Sequence, residues 1–155
     1  MRNRLSIILL MFLFALTLSA QGKAKYVFYF IGDGMGVNQV NAAETYLGAL
    51  QGRIGIQPLC FPSFPYSAFV NTRSATNGVT DSAAGGTALA CGQKTKNGTL
   101  GMLKDLTTSV SSIADWARNS GAAVGITTSV AIDHATPAAF YAHVKERNEQ
   151  YTIGK

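Results

Sequence analysis

Strand-like stretches alternate with helix-like stretches along this chain, and that alternation restricts it to an α/β architecture with a largely parallel sheet. Tyr26-Val27-Phe28-Tyr29-Phe30-Ile31 is a continuous aromatic and β-branched run, the pattern of a strand buried on both faces. Residues 67–72 and 122–128 read as two further short strands. Helical stretches are expected over about 38–50, 82–91 and 108–119, and a last one opened by Pro137 and running to about Glu149. Residues 51–66 hold three of the four prolines and read as a loop, and Lys96-Asn97-Gly98-Thr99 is a turn signal. In a parallel sheet, ligands bind beyond the carboxyl ends of the strands. Three segments fall there: 32–36, 80–86 and 133–136.

Composition narrows the function classes. Hydrophobic residues make up 47% of the 155 residues and charged ones only 14%, which excludes an intrinsically disordered chain. Arg2 and Arg4 precede an apolar run over 5–18, and Ser19-Ala20-Gln21-Gly22 supplies small residues for cleavage. Residues 1–20 therefore read as a secretory signal peptide, with cleavage after Ala20 or Gly22. The run is 14 residues long, short of the ~20 that span a bilayer, so no stable membrane span is expected after cleavage. Losing the two arginines lowers the net charge from +5 to +3, and without a clustered Lys/Arg run there is no case for a nucleic-acid partner. Export, to a bacterial periplasm or the extracellular space, would permit a Cys60–Cys91 disulfide. Nothing in the spacing demands one.

Each of the three strand ends allows two readings. Gly32-Asp33-Gly34-Met35-Gly36 lacks the third glycine of a dinucleotide loop, because Val37 stands there. Asp33 would also repel a pyrophosphate unless a cation lay between them. It suits a hard divalent metal or, alternatively, a cap on the next helix. Ser82, in Thr80-Asp81-Ser82-Ala83-Ala84, opens a helix of very small residues whose free N–H groups favour an anion. It is either an N-cap or an activated nucleophile. No Gly-x-Ser-x-Gly elbow surrounds it, and Gln93 breaks any P-loop at Gly92-Gln93-Lys94-Thr95. Without an evident His base, a metal would have to activate this Ser. His134 and Thr136 could face one site, or Thr136 could cap a helix whose first residue is Pro137. Arg147 taken alone reads as a solvated charge, and His143 has no assigned role.

Taken together, these pieces resemble the alkaline phosphatase family. The matching segments are Phe30-Ile31-Gly32-Asp33-Gly34-Met35-Gly36, Thr80-Asp81-Ser82-Ala83-Ala84, Lys94-Thr95-Lys96-Asn97-Gly98 and Ala135-Thr136-Pro137-Ala138-Ala139, the last followed by Ala142-His143-Val144. Their order and spacing hold over residues 25–147. The resemblance implies a three-layer α/β sandwich, incomplete in this chain, and hydrolysis of phosphate monoesters through a phosphoserine. It implies two zinc ions and one magnesium, and a homodimer at full length. Ser82 would be the nucleophile and a zinc ligand, and Asp33 would be shared between zinc and magnesium. Thr136 would bind magnesium, Arg147 would grip two phosphate oxygens, and Asp81 would orient Arg147. His134 stands where some members carry Asp and others His, which points to tuning of the magnesium site rather than direct ligation.

The family's remaining zinc ligands, a set of Asp and His residues, have no counterpart here, since the chain has two His and neither matches them. Residues 21–155 therefore read as the N-terminal part of a longer catalytic domain, folding weakly and inactive alone. The rival readings are a phosphodiesterase or sulfatase of the same superfamily, and an exported non-catalytic module that binds metal or phosphate.

Overall fold

Small side chains decide how the elements pack. The computed structural model describes residues 24–155; the signal-peptide reading of 1–20 lies outside the described residues. Among them are five α-helices: α1 (Val37–Leu50), α2 (Ser82–Cys91), α3 (Ile113–Asn119), α4 (Ala135–Ala138) and α5 (Gln150–Ile153), with a 3-10 turn at Phe61–Ser63. Residues 24–32 form one unit and residues 33–155 another.

Within the second unit, α2 reads Ser-Ala-Ala-Gly-Gly-Thr-Ala-Leu-Ala-Cys and packs on α4. A Cβ at Gly86 would lie 3.0 Å from the Ala139 Cβ and 3.6 Å from the Thr136 backbone. A side chain there would press on the Ala139 methyl, so glycine suits the close approach of the two segments. The core around this contact comprises Ala83, Ala90, Leu100, Ala135, Ala138, Ala139, Ala142, Val144 and Ile153. Each large member contributes roughly 1.5–3 kcal/mol on burial, but alanines bury little. Buried hydroxyls tie the same region together. Thr87 Oγ1 donates to the Thr99 carbonyl (3.2 Å) and accepts from the Gly101 N–H (3.0 Å). Ser112 Oγ donates to the Phe140 carbonyl (2.7 Å), and Thr99 Oγ1 donates to the Lys145 carbonyl (3.1 Å).

The expected sheet is absent among the described residues. Only two isolated antiparallel bridges occur, Leu100 with Val144 and Met102 with Ser109. The runs at 26–31, 67–72 and 122–128 form no strand, and their side chains are exposed rather than buried: Val27 is 81% and Phe69 108% accessible. A strand exists only through hydrogen bonds to a neighbour. Among the described residues no β-ladder involves these runs.

The helix expectations fare unevenly. Residues 82–91 coincide with α2, and 38–50 nearly with α1. The stretch 108–119 is helical only from Ile113, where Ser112 and Asp115 form a capping box. The helix expected from Pro137 to Glu149 is a correction: α4 ends at Ala138. Beyond it, Val144 is drawn into reciprocal backbone bonds with Leu100, both 3.0 Å, and a residue paired in a ladder cannot also propagate a helix. The turn at 96–99 closes with Thr99 N–H to the Lys96 carbonyl at 3.2 Å. Cys60 and Cys91 are free thiols, so no disulfide joins them. Burial pushes the Cys91 thiol up to about 11, with Asp115 adding to the shift.

Candidate active site

The start of α2 organises the site. Asp81, not Ser82, is its N-cap: Asp81 Oδ1 accepts the Ala84 N–H at 2.9 Å. Ser82 thus occupies the first helical position, its hydroxyl free to reach outward. That hydroxyl donates to Asp33 Oδ1 at 3.3 Å. The other Asp33 oxygen, Oδ2, accepts the Thr136 hydroxyl at 2.7 Å. Asp33 does not cap a helix either, because the N-cap of α1 is Gly36, whose N–H donates to Gln39 Oε1 at 3.0 Å. Nor does Thr136, since His134 occupies the N-cap position of α4. All three capping readings give way to one convergence of oxygens.

Arg147 is likewise drawn in. Its Nη1 pairs with Asp81 Oδ2 at 3.2 Å, and its Nη2 lies 3.4 Å from His134 Nε2. The Arg147 side chain is only 27% exposed, so it is not a solvated charge. A short stretch of backbone sets its origin: Arg147 N–H donates to the Gly98 carbonyl at 2.7 Å. In turn, Gly98 N–H donates to Asp81 Oδ2 at 3.0 Å. Gly98 therefore braces both partners of the ion pair, and its φ of +88° is one that other residues rarely adopt. In the sequence, 96–99 reads as a turn and 94–98 as one of the segments that resemble the family, with no role assigned to Gly98. The Asn-Gly turn chemistry was visible, but its contact with Asp81 spans 17 positions and had no sequence signal.

The hydrogen bond from Thr136, then that from Ser82, holds the Asp33 carboxyl below the usual carboxylate range, with the charges of His134 and Arg147 assisting and partial burial opposing. Asp33 is thus an ionised acceptor at neutral pH. Its donor set suits a hard divalent cation: a carboxylate with one hydroxyl on each of its oxygens, Ser82 at 3.3 Å and Thr136 at 2.7 Å, all oxygen, as magnesium prefers. Zinc sites would need more. No group of three or more His, Cys, Asp and Glu gathers among the described residues. Both histidines are engaged elsewhere, His134 at Arg147 and His143 through Nδ1 at the Gly101 carbonyl, 2.7 Å away.

The sequence profile of the alkaline phosphatase family matches residues 24–154. The chain belongs to the alkaline phosphatase family. Among relatives, the tissue-nonspecific alkaline phosphatase of Gallus gallus is 41% identical over 138 residues, 83% of this chain and 27% of that protein. Among solved structures, the Thermus thermophilus alkaline phosphatase has a TM-score of 0.70 at 35% identity, covering 80% of this chain and 26% of that one. A histidine-to-glutamate variant of the alkaline phosphatase from the Antarctic bacterium TAB5, solved with Mg bound, has a TM-score of 0.58 at 30% identity, covering 79% and 33%. The described residues therefore share the alkaline phosphatase fold in part, although no sheet occurs among them. The chain spans about a quarter of the length of the curated relatives it matches. No helix among the described residues is long and apolar enough to cross a membrane.

Proposed function

We propose that this chain is the nucleophile-bearing, N-terminal part of a metal-dependent enzyme that hydrolyses phosphate monoesters through a phosphoserine on Ser82. The observation that carries this reading is the placement of Ser82 Oγ, Asp33 and Thr136 in one hydrogen-bonded group, beside an Arg147 held by Asp81. Ser82 attacks phosphorus through Oγ, which Asp33 Oδ1 orients. The first N–H groups of α2 meet no acceptor among the described residues up to Ala84, whose N–H is taken by Asp81. They face an incoming phosphoryl group with the positive end of the helix. Arg147 retains guanidinium N–H groups beyond those used on Asp81 and His134, and these suit two phosphoryl oxygens. His134 acts by holding Nη2 of Arg147.

Asp33, Thr136 and Ser82 would hold a magnesium-like cation, whose charge would favour the ionised form of an oxygen it touches. The described residues do not supply a two-zinc centre, so the zinc ligands belong to a longer chain on this reading. The substrate class is phosphate monoesters, and the exported destination follows from the signal-peptide reading. Replacing Ser82 by Ala in the full-length enzyme is expected to reduce phosphomonoester turnover by several orders of magnitude, as loss of a nucleophile does. Near-normal turnover by that variant would remove the assignment.

A further inference from the structure

The chain contains two Asn-Gly pairs, Asn77-Gly78 and Asn97-Gly98, and the fold treats them in opposite ways. After an Asn, a glycine offers a main-chain nitrogen with no Cβ to shield it and little resistance to rotation. At Asn97 that nitrogen is committed: Gly98 N–H donates to Asp81 Oδ2 at 3.0 Å. The Asn97 side chain is committed as well, its Nδ2 donating to the Val79 carbonyl at 3.0 Å, while its Oδ1 is buried. At Asn77 both residues are exposed. The Gly78 N–H has no hydrogen-bond partner among the described residues, and a Cβ built on Gly78 would meet nothing within 4 Å. The Asn77 main chain is held by Ser74, whose N–H donates to the Asn77 carbonyl at 3.1 Å and whose Oγ accepts the Asn77 N–H at 2.9 Å. The reacting Asn77 amide carries a different contact: Thr76 Oγ1 donates to Asn77 Oδ1 at 2.8 Å.

We propose that Asn77 is a site of spontaneous deamidation, promoted by Thr76, while the hydrogen bonds that brace Arg147 protect Asn97. The Gly78 nitrogen attacks Asn77 Cγ, forming a C–N bond and giving its proton to solvent. Asn77 Nδ2 takes up a proton and leaves as ammonia, which breaks the original C–N bond and closes a five-membered imide. Water then opens either imide carbonyl, leaving aspartate or isoaspartate. No electrons are transferred, and water is the only co-reactant. The Thr76 hydroxyl lies on the oxygen that gains negative charge in the tetrahedral adduct, so it lowers the barrier as an oxyanion donor does. The product carries a new carboxylate in the segment that leads into Asp81-Ser82. The chemistry involves neither Ser82 as nucleophile nor a metal, and it stands apart from the phosphatase reading.

The test is incubation of the full-length protein at mildly alkaline pH, followed by trypsin digestion and mass spectrometry. Cleavage after Arg73, Lys94 and Lys96 puts the two Asn on separate peptides. The Asn77 peptide is expected to gain about one dalton. Its rate should exceed that of the Asn97 peptide by about tenfold or more, because at Asn97 the reacting groups themselves, the Gly98 N–H and the Asn97 Nδ2, must first leave their hydrogen bonds. In concentrated urea the two rates should converge. Thr76→Val should slow Asn77 severalfold in the folded protein and leave its rate in urea unchanged. Equal rates in the folded protein, or a preference for Asn77 that persists in urea, would overturn protection by the fold. An unaltered folded-state rate in Thr76→Val would overturn the role of Thr76.

Discussion

Asp81 shows how much a single carboxylate can hold. One oxygen caps α2 at Ala84 N–H, and the other takes Gly98 N–H and Arg147 Nη1. The two jobs are separable by substitution. Asp81→Ala removes both and is expected to destabilise the full-length protein by about 1–2 kcal/mol in urea unfolding. Asn is also a good cap, so Asp81→Asn should keep most of that stability while releasing the charge that orients Arg147. Its signature should be weaker inhibition by inorganic phosphate, with little change in the unfolding midpoint. Equal losses of stability in the two variants would show that the Arg147 contact, not the cap, dominates. None of the capping was legible in the sequence, where Asp81 figured only as the partner of Arg147. The acid sits one residue before the helix, and the sequence alone left Ser82 as the better cap.

At the level of elements, α3 is short and owes its start to the Ser112–Asp115 capping box. The Ser112 N–H, then burial acting oppositely, then the Ser112 hydroxyl and Arg118 set the Asp115 carboxyl, with a net shift below the usual carboxylate range. A carboxyl whose pKa is depressed by folding stabilises the fold above its ordinary value and loses that contribution as the pH falls. Asp105, whose carboxyl is lowered to about 2 by the Thr107 and Thr108 N–H groups and the Thr108 hydroxyl, follows the same sign between pH ~4 and ~2. The single tryptophan, Trp116, lies in α3 and reports on it. Acid titration followed by Trp116 fluorescence should show α3 loosening as the pH falls below the ordinary carboxylate range, and Asp115→Asn should flatten that dependence. An unchanged titration in the variant would place the acid sensitivity elsewhere. The helical pattern at 108–119 was readable in the sequence, but not its start at Ile113. Ser109 and Val110 engage Met102 and Gly101 instead, as in the Val110 N–H bond to the Gly101 carbonyl at 2.8 Å.

On the scale of the whole molecule, the described residues leave much apolar surface uncovered: Phe28 is 79%, Phe30 88%, Phe69 108% and Val70 73% exposed. A monomer with such surface is expected to bind apolar dyes and self-associate. Expressed alone, residues 21–155 should bind ANS strongly and show no phosphomonoester turnover, whereas a longer chain carrying the remaining ligands should do neither the first nor lack the second. Metal-dependent turnover from residues 21–155 alone would contradict the reading. What sequence by itself determined is local: the span of α2, the turn at 96–99, the family, and the residue types at the three segments that carry the site. Only tertiary structure decided which of them are caps and which converge. Ser82 meets Asp33 across 49 positions, Arg147 meets Asp81 across 66, and Thr136 meets Asp33 across 103. Backbone propensity acts over a few residues. Contacts at such separations depend on tertiary packing such as that of α2 on α4 at Gly86 and Ala139, and strand pairing, absent among the described residues, likewise needs neighbours that no local pattern supplies.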